Sequence, residues 1–553
     1  MLRMLIHEHR HLLAAALIVS IAAGAATVSL VALMNSALTA LGSDRAAIAL
    51  RFALLVVVAV ITRTLSNILF HRLSQSVLAR LRRFVTDRVL ASGYRQLEAT
   101  GGPKIHAALT DDSAQVAILL VSLPAVITNA VIVLGCLCYL ALLSWSVFFY
   151  ALLAIVLGAF GYHRVHLLAL GHLRKASQAQ VRLFEHFDAL IAGSKELKLH
   201  RDKRRAFADD LLGDSIEAVR SARARGMSLF CLSGGWGSFL IFSFIGAVLF
   251  LLVGNQPEQL PVATGFTLLF LYMVTPMEVL LNNIPQINLA RVAARRIETT
   301  LAALHGDGEE SAPGLPPPLF SGLTLRGITH RYYREQEDDL FELGPVDLHF
   351  TPGEVVFLVG GNGSGKTTLA KLLTGLYVPE SGQLLLNGVP VGAAERDRYR
   401  QLFSAIFSDF HLFEALIGAG GAALDARGNA LLEKLHLQHK VRVEAGAFST
   451  RELSQGQRKR LALVAALLEE RPFLVFDEWA ADQDPLFKQV FYREVLPQLK
   501  RQGRTVLVIS HDDRFFPLAD RLLRMEAGRI VGESTGGDGA HHDAARHPAL
   551  SPL

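Results

Sequence analysis

Six stretches of this 553-residue chain are apolar over more than 20 residues each, at 12–40, 46–70, 115–143, 146–168, 228–254 and 262–284. A helix needs about 20 mostly apolar residues to cross the hydrocarbon core of a bilayer. The stretches therefore predict six membrane spans, grouped in three pairs with long polar segments between the pairs. Composition agrees: 51% of residues are hydrophobic and only 19% are charged, fewer charges than ordinary soluble domains carry. The first run follows MLRMLIHEHRH. It is too long for a signal-peptide core and is followed by no A-x-A-type site, so it reads as a span.

Loop charge sets the orientation. Arg3 and Arg10 precede the first span. Arg72, Arg80, Arg82, Arg83, Arg88, Arg95 and Lys104 follow the second. Arg174, Lys175, Lys195, Lys198, Arg201, Lys203, Arg204 and Arg205 follow the fourth. The alternate loops hold only Arg45 near the first, and no Lys or Arg in LLSWS or NQPEQ. Positive residues stay inside. The N-terminus, both long loops and everything after the sixth span are thus expected in the cytoplasm. The long loops read as helical extensions of the spans, and the segments at 101–112 and 184–198 are expected to touch a neighbouring domain.

The net charge of +5 is small for this length and has no concentrated basic stripe, which argues against a nucleic-acid partner. Cys136, Cys138 and Cys231 lie in apolar runs and read as small core residues. They lack the paired spacing of a zinc site.

Composition changes after Leu304. HGDGEESAPGLPPP is rich in Gly, Pro and acid, which marks a linker. Strands alternating with helices then begin at Leu323, as in an α/β domain. The expected organisation is a membrane domain at 1–304, a linker at 305–322, an α/β domain at 323–531 and a disordered tail at 532–553. The tail carries His541 and His542, a weak case for metal binding.

The sharpest motif is VVFLVGGNGSGKTTLAKLLTG. Residues 355–359 read as a buried strand. Gly360, Gly361, Asn362, Gly363, Ser364, Gly365, Lys366 and Thr367 follow the pattern G-x-x-x-x-G-K-[ST], with Thr368 next in a helix. Glycines let backbone N–H groups approach phosphates, and the helix N-terminus adds partial positive charge. Lys366 is expected to reach the β- and γ-phosphates of ATP, and Thr367 to hold Mg²⁺. FLVFDE is an apolar strand ending in Asp477 and Glu478. Asp477 suits a Mg²⁺ contact, and Glu478 suits the polarisation of attacking water. A third element, Ser454, Gln455, Gly456 and Gln457, opens a helix and forms another anion site. One nucleotide does not need two such sites from one chain. Two chains facing head to tail would each complete the other's, which predicts a homodimer.

In this order the three motifs resemble the nucleotide-binding domain of ABC transporters, and residues 1–304 resemble the six-span exporter type of membrane domain. The resemblance implies further roles. Tyr332 matches the aromatic that stacks on adenine, with Tyr333 the near alternative. Asp484 matches the dimer-contact aspartate, and His511 the switch histidine at the γ-phosphate. It also implies that ATP closes the dimer and hydrolysis resets it. Departures are present. Gln455 stands where the family usually has Gly. Ser408 stands where a Mg²⁺-sensing glutamine is expected, so coupling there would run through Asp409 or water. WAADQD replaces the usual segment after the catalytic acid.

YRQLFSAIFSDFHLF together with LSQGQRKRLALVAALLEERPFLVFDEWAADQDPLFK resembles the cyclic-peptide and peptide-siderophore exporters of Gram-negative bacteria. That group includes exporters of syringomycin-type lipopeptides, pyoverdine precursors and microcin. The implied activity is ATP-driven export of a modified or nonribosomal peptide, or a siderophore precursor, across the inner membrane. No peptidase domain precedes the first span, so leader cleavage is not expected. A lipid or drug exporter is the runner-up. A membrane-bound ATP sensor that moves no solute is a reading from another class.

The spans carry polar residues: Asn35, Arg63, Ser66, Asn129, Tyr139, Trp236 and Glu278 among them. They read either as lining for a polar solute path or as helix-joining hydrogen bonds and interfacial charges. The small-residue runs AAGAA and GGWG suggest close helix packing.

Overall fold

Helices dominate the first 300 residues because their apolar runs have no alternative in lipid, where every backbone polar group must be satisfied within the segment. The computed structural model of the protein describes residues 10–39, 45–247, 250, 260–304, 316–334, 339–416 and 421–535. Among the described residues, six helices are long and apolar enough to cross a membrane. They are α1 (Arg10–Thr39), α2 (Arg45–Ala91), α3 (Ser113–Leu143), α4 (Trp145–Ala192), α5 (Asp214–Ala247) and α6 (Leu260–Ala303). At 47 and 48 residues, α2 and α4 are each about 70 Å long. A hydrocarbon core of about 30 Å cannot hold them, so their basic ends extend beyond it as the charge pattern predicts.

The chain divides into two compact units. The first comprises residues up to Thr86 together with His106–Thr300. In it α1 packs on α3 through glycines. A Cβ on Gly24, in the AAGAA run, would stand 2.7 Å from Val131, and one on Gly135 would stand 2.7 Å from Val28. Only glycine permits that approach. Buried Ser20 and Ser66 share a 2.5 Å hydrogen bond between hydroxyls, and Asn35 Nδ2 donates to Tyr139 Oη at 3.1 Å. These polar residues join helices. Asn129 instead bonds back within its own helix, donating to the Ala125 carbonyl. The GGWG run departs from expectation. A Cβ on Gly234, Gly235 or Gly237 would meet nothing within 4 Å, so these glycines do not bring helices together. Of the three cysteines only Cys136 is buried; Cys138 and Cys231 are exposed.

The second unit is the α/β domain plus Asp87–Ile105. Part of the first long inner loop thus groups with this unit. Within this unit the short helix Tyr94–Thr100 contacts the α/β domain. Glu98 accepts hydrogen bonds from Lys371 Nζ at 3.1 Å and from the Tyr377 hydroxyl. Tyr94 lies 6.1 Å from Tyr377, ring to ring.

The strands of this unit are β1 (Leu323–Arg334), β2 (Asp339–Phe350), β3 (Val355–Val359), β4 (Ser381–Leu386), β5 (Val389–Pro390), β6 (Phe403–Ile406), β7 (Val443–Glu444), β8 (Ala447–Phe448), β9 (Phe473–Asp477), β10 (Thr505–Ile509), β11 (Arg521–Glu526) and β12 (Arg529–Thr535). The main sheet has the order β12-β11-β3-β10-β9-β6. Its β11, β3, β10, β9 and β6 run parallel. β3, β9 and β10 are buried at every residue, as a parallel sheet covered on both faces requires. An antiparallel sheet β2-β1-β4-β5 packs its apolar face with β3, β9 and β10 in one core.

Both expected boundaries of the α/β domain shift. Residues 316–322 are held by the domain: Arg398 Nε donates to the Pro316 carbonyl, and Asn387 Oδ1 accepts from the Ser321 and Gly322 amides. At the other end β12 pairs with β11 through Thr535, so ordered structure passes the expected limit at 531. Residues 536–553, with His541 and His542, and linker residues 305–315 lie outside the described residues.

Candidate nucleotide site

The motif residues converge because β3, β10 and β9 are neighbours and all end on the same edge of the sheet. A parallel sheet of this kind binds ligands at the carboxyl ends of its strands. β3 leads into the glycine loop and then into α7 (Lys366–Leu373). Gly360, Gly363 and Gly365 have φ of 156°, 76° and 103°, values that disfavour any side chain. At Gly360 a Cβ would stand 2.1 Å from the Met525 carbonyl oxygen. Gly361, Asn362 and Gly363 are exposed at the loop's tip, while Ser364, Gly365 and Lys366 are buried at its base and Thr367 and Thr368 are half-buried.

Lys366 Nζ donates to the carbonyls of Gly360 and Gly361 at 2.9 Å each. Burial pushes its ammonium pKa down, opposed by the carboxylates of Glu478 and Asp477. Its side chain thus folds back into the loop that is to cradle phosphate. Thr367 Oγ1 donates to Asp477 Oδ2 at 2.8 Å. Asp477 is 1% exposed, and its other oxygen, Oδ1, has no hydrogen-bond partner among the described residues. Burial pushes its carboxyl pKa up, as do Glu478 and Asp409, while Thr367 and Lys366 pull it down. A buried carboxylate with one free oxygen beside a threonine hydroxyl is a hard oxygen donor set. It fits Mg²⁺, which binds one or two carboxylates and keeps waters or phosphate oxygens as its other ligands.

Glu478 follows β9 with φ of 51°, an uncommon conformation for a residue with a Cβ. Its amide donates to the Ile509 carbonyl at 3.1 Å, tying the end of β9 to the end of β10. Its carboxylate lies 3.3 Å from His511 Nε2, and both side chains are partly open to solvent. Ser408, two residues past β6, is exposed. The charge of the adjacent Asp409 is the weakest of those acting on Asp477, after Glu478 and Lys366.

The expected second anion site falls at the start of α9 (Gln455–Leu468), numbering as α8 the helix Ala422–Lys434. Ser454 is the N-cap of α9 and forms a capping box with Gln457: the Gln457 amide donates to Ser454 Oγ, and the Ser454 amide to Gln457 Oε1. Such a box aligns the first turn. The departures from the family pattern have a local cause. Gln455 Nε2 donates to Asp482 Oδ2 at 3.2 Å, and Gln483 Nε2 donates to the Gly456 carbonyl at 3.0 Å. The residues after Glu478 thus brace the start of α9. Trp479 is 2% exposed and its Nε1 donates to the Lys459 carbonyl at 2.7 Å. Lys459 reaches Asp482 at 2.7 Å and the Glu478 carbonyl at 3.1 Å. Sequence reasoning passed over Lys459 and Trp479. Their position inside the helix and strand motifs gives no sign of this bracing. Asp484 caps α10 (Pro485–Val490), accepting from the Leu486 and Phe487 amides at 3.1 Å. Tyr332 and Tyr333 lie on β1 opposite Phe341 and Leu340. Their side chains lie outside the described residues.

The structure thus gathers the glycine loop, Lys366, Thr367, Asp477, Glu478 and His511 at one sheet edge. It leaves Ser454 on an exposed helix start.

Comparisons with known proteins identify the family. Residues 343–481 match the ABC transporter family. The chain is 34% identical over 543 residues to the ATP-binding protein SyrD of Pseudomonas syringae pv. syringae, covering 96% of each. It is 27% identical over 515 residues to the ATP-dependent lipid A-core flippase of Burkholderia orbicola, covering 88% of this chain and 82% of the flippase. Its fold matches a bacterial Atm1-family ABC exporter with ATP bound at a TM-score of 0.72 and 16% identity, covering 96% of this chain and 95% of that one. The chain belongs to the ABC transporter family, as a membrane half-exporter whose six spans are joined to a transport-coupled, ATP-hydrolysing domain.

Proposed function

We propose that two copies of this chain form an exporter that moves a modified or nonribosomal peptide, or a peptide siderophore precursor, out of the cytoplasm across the bacterial inner membrane. The observation that carries the peptide reading is the likeness to SyrD, which extends over 96% of both chains and so includes the spans that must meet the solute. The assembled Lys366, Asp477, Glu478 and His511 supply the hydrolytic half of the reading.

In hydrolysis the bond between the γ-phosphorus and its bridging oxygen breaks as a water oxygen joins the phosphorus. Glu478, open to solvent at the strand end, orients that water and holds its proton. His511, 3.3 Å away, fixes the Glu478 carboxylate and faces the phosphate released. Lys366 exchanges its two carbonyl partners for phosphate oxygens. Thr367 and Asp477 are the ligands for Mg²⁺, which when bound neutralises phosphate charge. Ser454 and the first turn of α9 serve the nucleotide of the second copy.

A lipid is the second reading, favoured by the resemblance to lipid A-core flippases over 88% of the chain. The deciding experiment is ATP hydrolysis by the purified protein in lipid, with candidate cyclic peptides or with lipid A, beside Glu478→Gln. Stimulation by peptide that vanishes in the variant supports the peptide exporter. Stimulation by lipid A alone replaces it with the flippase reading, and hydrolysis indifferent to both removes the peptide assignment.

A further inference from the structure

We propose that Lys459 is a positioning residue for ATP hydrolysis: from α9 it fixes the backbone of Glu478, and so the direction of the Glu478 carboxylate. The proposal rests on the role given to Glu478 above.

Glu478 sits where the chain leaves β9 and turns. Its φ of 51° is a left-handed value that disfavours a residue with a Cβ. Such a conformation persists only where the surroundings fix it. Where the carboxylate points depends on this turn, because the Cβ direction follows from the two peptide planes that flank the residue. Each plane has an anchor. The plane before Glu478 is held to β10, through the Glu478 amide and the Ile509 carbonyl at 3.1 Å. The plane after it is held through the Glu478 carbonyl, which accepts from Lys459 Nζ at 3.1 Å and from the Ala481 amide at 3.2 Å. The Ala481 bond is internal to the turn and moves with it. Lys459 ties the same plane to a separate element, α9.

The tie runs both ways. The Lys459 carbonyl accepts from Trp479 Nε1 at 2.7 Å, and the Trp479 ring lies 4.4 Å from that of Phe491, centroid to centroid. α9 therefore holds Glu478 by its backbone and the next residue by its side chain.

An ammonium at this place needs a reason. The Lys459 side chain is 5% exposed, and taking a charge out of water is costly unless it is paired. Asp482, from the WAADQD segment, pairs it at 2.7 Å. For stability such a pair has little advantage over apolar side chains of the same volume. What it supplies is direction. Asp482 takes one of the three donors of the ammonium and holds Nζ in place, which leaves another donor aimed at the Glu478 carbonyl. Gln455 Nε2 also donates to Asp482, at 3.2 Å. The start of α9 and the turn at Glu478 thus share one hydrogen-bond network.

The test uses the full-length protein in lipid nanodiscs, with Lys459→Met, Asp482→Asn and Glu478→Gln made singly and Lys459→Met combined with Glu478→Gln. Hydrolysis is followed at steady state and in single turnovers, and nucleotide binding with a fluorescent ATP analogue. Because misplacing a catalytic group by about 1 Å costs about 10²-fold, Lys459→Met should lower kcat by about 10- to 100-fold and change KM by less than about twofold. Affinity for the analogue should stay native, since no phosphate ligand is touched. Asp482→Asn, at a side chain 45% exposed, should lower kcat in the same direction by a smaller factor. In the Glu478→Gln background, Lys459→Met should add nothing, because a residue that acts through Glu478 has no carboxylate left to direct. A lysine that only supports the fold would slow the double variant further. Native kcat in Lys459→Met, or a further loss in the double variant, overturns the proposal. If Lys459→Met does not fold, Asp482→Asn decides by the same comparison, alone and combined with Glu478→Gln. Native turnover in Glu478→Gln alone would overturn the role of Glu478 itself, a failure that shows separately from any result at Lys459.

Discussion

Thr367 Oγ1 donates to Asp477 Oδ2 at 2.8 Å while Asp477 Oδ1, equally buried, has no partner among the described residues. In the proposed reading the pair is half of a Mg²⁺ site, and without a cation it is a cost. A carboxyl whose folded pKa is raised contributes stability below its unfolded pKa and loses it as pH rises through the folded value. Burial raises that of Asp477. Asp477→Asn should therefore raise the thermal midpoint of the nucleotide-free protein at pH 7, by about 2–4 °C per kcal/mol relieved. The gain should fade as pH falls through the raised pKa of Asp477, below which the native carboxyl is itself protonated. The same variant should lose most of the stabilisation that Mg²⁺ and ATP give the native chain. Melting curves at two pH values, with and without Mg²⁺-ATP, check both parts. A lower midpoint at pH 7 would show that Asp477 is compensated by groups other than Thr367 and Lys366.

Glu478 and His511 stand 3.3 Å apart at the ends of adjacent strands. Removing the carboxylate while keeping its shape should leave ATP binding intact and slow hydrolysis. Glu478→Gln is expected to lower turnover by about 10²–10⁴, the usual span for a general base, and to hold ATP. His511→Ala should lower kcat more than it changes KM, because it acts after the nucleotide is bound. Native turnover in Glu478→Gln would remove Glu478 from its role.

Why these sites could be read from sequence, while others could not, is a matter of how local each cause is. The glycine loop, the acid pair of β9 and the cap of α9 are each fixed by fewer than about ten consecutive residues with a strand before or a helix after. The spans are fixed by lipid alone. The contact of Tyr94–Thr100 is different: it depends on Lys371 and Tyr377, far along the chain, and no periodicity announces it. The GGWG run carries the same composition as AAGAA. Only the distance to a neighbouring helix separates a packing glycine from a hollow one. Strand β12 continues past Gly532 because Thr535 pairs with Arg521, although its GEST sequence reads as the start of a polar tail.

Lys366 makes two hydrogen bonds to loop carbonyls. Anionic phosphate oxygens are stronger acceptors for its ammonium group than neutral carbonyls are. Lys366→Ala should weaken ATP affinity by about 10- to 100-fold, from a loss of 1.5–3 kcal/mol per charged hydrogen bond. Equilibrium binding of a fluorescent ATP analogue measures this. Lys366→Arg should not rescue it, since the larger planar guanidinium does not fit a base in which Lys366 is 5% exposed. Native affinity in Lys366→Ala would remove the glycine loop from phosphate binding.

Glu98 couples the short helix Tyr94–Thr100 to α7, the helix that begins with Lys366. Lys371 on α7 donates to Glu98 at 3.1 Å, and the Tyr377 hydroxyl donates to its other oxygen. Lys371 also lies over the rings of Tyr94 and Tyr377 at 5.1 and 5.2 Å. Burial works against the Lys371 ammonium, yet Tyr377 and Glu98 outweigh it and leave its pKa raised. Burial and then Glu98 push the Tyr377 phenol up to about 12. Stability from a raised lysine is present below its unfolded value and lost only as pH rises through the folded one. The contact should therefore be constant from pH 6 to 9, within the range bounded by an ordinary lysine pKa of about 10.4. Glu98→Ala leaves a mostly buried lysine unpaired. It should lower the thermal midpoint at every pH in that range while sparing ATP affinity, because no phosphate ligand is touched. Solute-stimulated hydrolysis should fall more than basal hydrolysis in the same variant, since the segment that joins α2 to α3 would no longer be fixed to the phosphate helix. Equal losses of basal and stimulated rates would mean that Glu98 holds the domain together without carrying any signal from the spans.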